Sequence, residues 1–206
     1  MRPSRTFRGG MRAGRGLAGS VDAPSPIPSP VWTREPLDCR LTMDPVTVSI
    51  VVDRPREQVF DYLQDIANHP EFTDHYLLDW HLTRVDSIGR GAGARFRVKA
   101  RGARFAWGDV TFTEVDRPHR IVEVGRTGKG NRVRTLGVYE LAPGASGTTR
   151  VQFTLQTAPV TLSDRLLERF GARGWMRRQN ARAMRRLRTI LESDDGRGPR
   201  VTVAGG

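Results

Sequence analysis

Three histidines recur every six residues, at His69, His75 and His81, with Asp74 and Asp79 close by. Imidazole beside carboxylate is the pairing used for metal ligation and for proton transfer. The spacing suits neither. Ligands on one helix face stand three or four residues apart, as in H-E-x-x-H, whereas these side chains fall in a turn and an entering strand. They read as exposed or locally hydrogen-bonded histidines, and no metal is expected. The GRGAGA run at Gly89 to Ala94 has the glycine content of a phosphate loop. It joins two strand-like segments with no helix N-terminus behind it to receive an anion, so it reads as a hairpin turn. No nucleophile stands beside a base: Ser163 and Asp164 look like helix-start residues, and Cys39 is the only cysteine. No catalytic residue and no cofactor are assigned from these patterns.

The more telling polar residue is an amide. At about 100° per residue, Trp175 to Leu191 places Met176, Ala183, Met184, Leu187, Ile190 and Leu191 within an arc of roughly 120°. Arg177, Arg178, Arg182, Arg185, Arg186 and Arg188 take the opposite side. Asn180 falls inside the apolar arc, where an unpartnered amide costs about 1–3 kcal/mol. It could reach a ligand's carbonyl or hydroxyl, or be satisfied by backbone or water.

The elements around this helix follow from periodicity. Val46, Val48, Ile50 and Val52 alternate with Thr47, Ser49 and Val51 as a strand with one buried face. Pro55 suits a first helical turn, Val59, Phe60 and Leu63 form a helical stripe, and Asn68-His69-Pro70 is expected to end that segment. Leu77–Ile88, Ala94–Arg101, Phe105–Val115, Ile121–Gly125, Arg132–Leu141 and Arg150–Thr157 read as further strands. Their short connections favour antiparallel pairing. Parity turns Phe96, Val98 and Ala100 inward, and likewise Val151, Phe153 and Leu155. Trp107 and Phe112 have opposite parity, so either Gly108 marks a bulge or one aromatic lies outside. A short helix, Ser163 to Phe170, is expected to lead into the long one.

Composition bounds the rest. With 206 residues, 37% of them hydrophobic, the chain suits one domain with tails. Residues 1–42, rich in Gly, Pro, Ser and Arg, read as a disordered basic extension, residues 43–192 as the domain, and residues 193–206 as a flexible tail. Met43 could be the natural start. No apolar run approaches the ~18 residues of a transmembrane helix, and no secretory signal is evident, so a cytoplasmic protein is expected. The net charge of +12 divides into +4 from residues 1–42 and +8 from residues 43–192, with the last fourteen balanced. Lys99 and Lys129 are the only lysines, so much of the charge reads as an arginine-heavy style.

The segments VSIVVDRPREQVFDYLQDIANHPEF, GRGAGARFRVKA, FTEVDRPHRIVEV and GTTRVQFTLQ, followed by the long helix, resemble the START-like (SRPBCC) superfamily, closest to its polyketide cyclase/dehydrase and lipid-transport branch. The resemblance implies an α+β helix-grip fold: a seven-stranded antiparallel sheet wrapped around a long C-terminal helix, with an apolar cavity between them. Three functions follow in order. The first is binding of a hydrophobic small molecule (a lipid, quinone or polyketide-like compound) by Trp80, Phe96, Trp107, Phe112, Tyr139, Phe153, Met176, Asn180 and Met184. The second is cyclisation or dehydration of a bound polyketide, for which Tyr139, Asn180 and His81 could supply polar groups. RNA or anionic-lipid binding through the arginine face comes last. Ligand identity and oligomeric state lie beyond the sequence.

A shortened chain beginning at Met43 is expected to melt at nearly the temperature of the full chain. Loss of several degrees in a calorimetric scan would show that residues 1–42 pack on the domain.

Overall fold

In the computed structural model, which describes residues 44–99, 107–159, 171 and 173–193, the run VTVSIVV forms β1 (Val46–Val52). Its alternation is realised: Thr47, Ser49 and Val51 are exposed while the even positions turn toward the core. The carbonyl of Pro55 accepts from the N–H groups of Gln58 and Val59 and starts α1 (Arg56–Leu63), which buries Val59, Phe60, Tyr62 and Leu63. A 3-10 turn over Ile66–Asn68, held by Asp65 accepting from the Ala67 N–H, leads into α2 (His69–Thr73). Pro70 therefore opens a second short helix and does not close the first. Its missing N–H falls in a first turn, where no helical partner is needed.

Six more strands follow: β2 (Leu77–Leu82), β3 (Gly93–Val98), β4 (Trp107–Asp116), β5 (Arg120–Thr127), β6 (Val133–Pro143) and β7 (Thr149–Pro159). They join β1 in one antiparallel sheet of order β1-β7-β6-β5-β4-β3-β2. The last element is α3 (Arg173–Glu192). This is the α+β helix-grip arrangement that the family resemblance implied. Since β1 pairs with β7 and not with β2, the first and second strands form opposite edges, and α1 and α2 must span the distance between them.

The strand expected over Leu77–Ile88 stops at Leu82. Tertiary bonds take the backbone beyond it. Ser87 accepts from the Ile66 N–H at 2.9 Å, the Gly89 N–H donates to Gln64 at 3.1 Å, and Ile88 bridges Asp65. A loop docked on the α1–α2 link wins over local strand propensity. The expected end of the third strand at Arg101, the expected Ser163–Phe170 helix, residues 1–42 and residues 194–206 lie outside the described residues.

Helix α3 packs along β1 and α2, burying Asn180, Ala183, Met184 and Leu187. Polar contacts fix it at three levels. Arg173 pairs with Asp44 at 3.0 Å near its start. Arg186 donates to the Glu71 carbonyl at 2.9 Å and meets Asp74 and His75. At its end Glu192 accepts from the Asp53 N–H at 2.9 Å, while its carbonyl accepts from Arg54 at 3.1 Å. The arginine face is thus not uniformly solvated. Arg186 is a docking residue, and Arg188 is paired with Glu192.

Exposed charges contribute little, so the triple change Arg178→Gln, Arg182→Gln and Arg185→Gln is expected to leave stability within about 0.5 kcal/mol of the wild type. Arg186→Gln alone should cost about 1 kcal/mol or more, because it strips a carbonyl and a carboxylate of their donor. Urea unfolding of the two proteins tests the contrast, and equal midpoints would refute it.

Candidate functional site

The register of the sheet defines the surface that faces α3. Opposite residues across neighbouring strands share a face, so Phe96 with Gly108, Phe112 with Glu123, Glu123 with Gly137, and Tyr139 with Phe153 all point the same way. Ile121, buried in the core, has the same parity. The concave face therefore presents aromatic rings, bare glycine and one carboxylate. Gly108 lies under Phe96, where a Cβ would stand 2.7 Å from the ring, and Gly137 lies under the Glu123 carboxyl, 2.4 Å from where its own Cβ would be. Side chains at these glycines would push Phe96 and Glu123 off the sheet.

Phe96 stacks on Trp80 with centroids 4.8 Å apart. His69 then sits among Trp80, Phe72, Phe112 and Tyr139, with centroids 5.1–6.3 Å away, and Tyr139 packs on Phe153 at 4.5 Å. Rings from α2, β2, β3, β4, β6 and β7 thus make one continuous surface. Phe112, Tyr139, Phe153 and Met184 are buried in it, whereas Trp80, Phe96 and Met176 are half-buried. Trp80 and Phe96 thus keep part of their surface accessible on the inner side of the sheet.

Trp107 does not belong to this surface. The register is regular across Gly108, and the irregularity comes later, between Phe112 and Glu114. Trp107 therefore turns to the outer face, where the Arg95 guanidinium lies 5.7 Å from its ring centroid and His81 lies 6.5 Å away. His81 is exposed there and is no partner for Tyr139 or Asn180. The GRGAGA amides are likewise committed, Gly89 to Gln64 and Gly91 to Phe112.

The polar groups of the concave side converge from four elements. Asn180 on α3 is only 2% exposed. Its Oδ1 accepts from the Tyr76 hydroxyl at 3.0 Å, and its Nδ2 is buried without a partner among the described residues. Tyr76, in the turn before β2, packs edge-on against Trp175 at 6.1 Å. Burial first, and the nearby charge of Glu123 on β5 second, hold the phenols of Tyr76 and of Tyr139 on β6 well above the usual tyrosine range. Burial alone pushes the Glu123 carboxyl up to about 7, although part of its surface is accessible. Solvent touches it, yet protein surrounds it.

His69 donates from Nε2 to the Leu63 carbonyl at 2.9 Å, which assigns the ring proton to Nε2. Burial outweighs that bond and the nearby Asp65, holding its pKa down to about 4. It is a locally hydrogen-bonded histidine, and it is buried.

Sequence reasoning missed Glu123 and Tyr76. Glu123 was legible: it shares parity with Ile121 and Gly125, and a charge at an inward position is the signal. Tyr76 had none, because a turn residue has no periodicity. Among the described residues no group of three or more His, Cys, Asp or Glu could hold a metal ion, and no helix is long and apolar enough to cross a membrane.

Comparison with known proteins places this geometry. The profile of the polyketide cyclase / dehydrase and lipid transport family matches residues 43–192. Among solved structures, a protein of Thermus thermophilus is similar with a TM-score of 0.57 and 14% identity, over 74% of this chain and 99% of that one. An uncharacterised protein of Rhizobium leguminosarum gives 0.54 and 16%, over 73% and 97%. A START superfamily protein from Mycobacterium smegmatis gives 0.52 and 12%, over 72% and 97%. At these identities the likeness concerns the fold. No curated protein matches the chain.

Glu123 and His69 pull stability in opposite directions with pH. The unfolded chain releases the Glu123 proton near 4.5 while the folded chain keeps it to about 7, so stability falls as pH rises through that window and levels off above it. His69 ionises near 6.5 when unfolded and only at about 4 when folded, so stability falls as pH drops from 6.5 toward 4. Between 4.5 and 6.5 the two slopes offset each other. In Glu123→Gln the His69 slope should stand alone, and above pH 7 the variant should exceed the wild type by about 2–3 kcal/mol. Urea melts across the pH range measure this; parallel profiles for the two proteins would mean that Glu123 is not desolvated.

Proposed function

Since the chain belongs to the polyketide cyclase / dehydrase and lipid transport family, we propose that it binds a hydrophobic small molecule between the concave face of the sheet and α3. One observation carries this reading. Trp80, Phe96, Leu155 and Glu123 all face the covered side of the sheet, yet all keep accessible surface. A fully packed core at this place would have excluded solvent from them. Glycine at Gly108 and Gly137 keeps the floor low on the same side. The binding surface is Trp80, Phe96, Phe112, Tyr139, Phe153, Met176, Asn180 and Met184 of the residues expected from the sequence, with Trp107 removed and Tyr76 and Glu123 added. The ligand domain is residues 43–192, and a lone cysteine fits a reducing compartment such as the cytoplasm.

A second reading, cyclisation or dehydration of a bound polyketide, draws on a different observation: a carboxyl with its pKa near neutrality faces two tyrosines on the inner side. Such a group can both give and take a proton at physiological pH. Exposure of Arg177, Arg178, Arg182 and Arg185 leaves phosphate binding as a property of the outer surface, separate from this site.

Native mass spectrometry of the purified protein is expected to show the chain with a retained small molecule. Leu155→Trp, which extends a ring into the space beside Gly137, should abolish that retention without melting below the ligand-free wild type, because open space accepts the added volume. If the variant unfolds by several kcal/mol, as overpacking would cause, and the wild type carries no ligand, the space is filled core and the reading fails.

A further inference from the structure

Asn180 is held in one orientation. Its carbonyl oxygen is occupied by the Tyr76 hydroxyl at 3.0 Å, so its amide nitrogen, with two hydrogens and no acceptor among the described residues, must point elsewhere. A buried amide nitrogen left bare is a standing cost that a ligand oxygen would relieve. The other polar groups at this place have matching character. Glu123 has no cation beside it among the described residues, and its carboxyl is aimed over Gly137 into the same covered side. Tyr139 adds a hydroxyl from the neighbouring strand.

We propose that Asn180, Glu123 and Tyr139 form a donor seat for a neutral carbonyl oxygen at one end of an otherwise apolar ligand, an assignment that rests on the binding function proposed above. Each member can offer a hydrogen, Asn180 from Nδ2 and the others from O–H groups, and none brings positive charge. A carboxylate or phosphate would find donors but no counter-charge in a desolvated setting, where an unpaired anion is expensive. A hydrocarbon end would leave Nδ2 bare. A ketone, quinone or ester oxygen satisfies it.

The seat changes with pH through Glu123. The groups facing it are the phenols of Tyr76 and Tyr139, Phe112 from β4 and Gly137 from β6, and Tyr76 links it to Asn180 through the hydrogen bond to Oδ1. His69, against Tyr139, is neutral above about 4. Below about 7 Glu123 carries its proton and donates; above that it becomes an anion that repels a carbonyl oxygen.

Three probes that share one ring system separate the possibilities: 2-ethylnaphthalene, 2-acetylnaphthalene and 2-naphthoate, titrated against the full chain by tryptophan fluorescence at about pH 6 and about pH 8.5. The ketone is expected to bind roughly tenfold more tightly than the hydrocarbon at the lower pH, and this advantage should shrink at the higher pH. Asn180→Leu should erase the advantage while hydrocarbon affinity holds, and Glu123→Gln should keep it and remove its pH dependence. Equal affinity for ketone and hydrocarbon in the wild type would overturn the seat and leave the hydrophobic site standing. Tightest binding of 2-naphthoate would overturn it in favour of an anion site. Failure of 2-ethylnaphthalene to bind would instead overturn the hydrophobic-ligand function itself. The wild-type comparison decides even if a variant does not fold.

Discussion

Everything on the concave side depends on how α3 is held. A seven-stranded antiparallel sheet has one face to bury, and here a single long helix with the short α1 and α2 must cover it. Apolar contact from Ala183, Met184 and Leu187 brings α3 to the sheet but does not fix its position along or across it, because such burial is non-directional. Direction comes from the polar ties: Arg173 to Asp44 at one end, Arg186 to the α2 region in the middle, and Glu192 to Asp53 and Arg54 at the other. These ties reach the β1 edge and the segment that leads into the β2 edge. They hold the helix against β1 and α2 independently of how the side chains beneath it pack.

The interior shows what that freedom permits. A well-packed core selects apolar groups, since an unpaired buried amide or carboxyl costs free energy with no return. This one retains Asn180 with a bare Nδ2 and Glu123 with a pKa near 7. Asn180 meets the half-buried Tyr76 through its hydroxyl, and Glu123 lies within electrostatic reach of the same phenol. His69 offers the contrast. It is also buried and also shifted, but its Nε2 proton is spent on Leu63 and its ring is surrounded by other rings. His69 is a structural residue that cements α2 to the sheet. Asn180 and Glu123 differ from it in that no comparable hydrogen bond among the described residues takes up the Asn180 Nδ2 or the Glu123 carboxyl.

Much of this arrangement is legible in the amino-acid sequence. The alternation of Val46 to Val52, of Phe96 and Val98, and of Val151, Phe153 and Leu155 specifies faces directly, because a strand has a period of two and a buried face tolerates no slip. The wheel of the last helix places Asn180 inside for the same kind of reason. What is not legible depends on contacts distant in sequence. Ser87, Ile88 and Gly89 follow a segment expected to be strand, but they bond or bridge to Ile66, Asp65 and Gln64, and no local rule contains that information. Trp107 carries the bulk of a pocket residue, and only the strand register shows it facing Arg95 and His81 on the outer side. Arg186 looks identical to its neighbours on the wheel until Glu71 and Asp74 are placed beside it.

Glu123 shows how parity and composition combine. A glutamate in a strand is ordinarily assigned to solvent on composition, yet the residues two before and two after it, Ile121 and Gly125, are both buried. Gly125 stands where a Cβ would meet the Asp109 carbonyl oxygen at 2.3 Å, and Gly137 stands directly across from Glu123. Glycine at these positions cannot be explained by strand propensity, which it lowers. It is explained by the need to keep the floor of the sheet clear, in one case for a neighbouring backbone and in the other for a carboxyl. An inward acid paired with an inward glycine is therefore a stronger signal than either residue alone, since a sheet that only had to bury its face would have placed a valine at both.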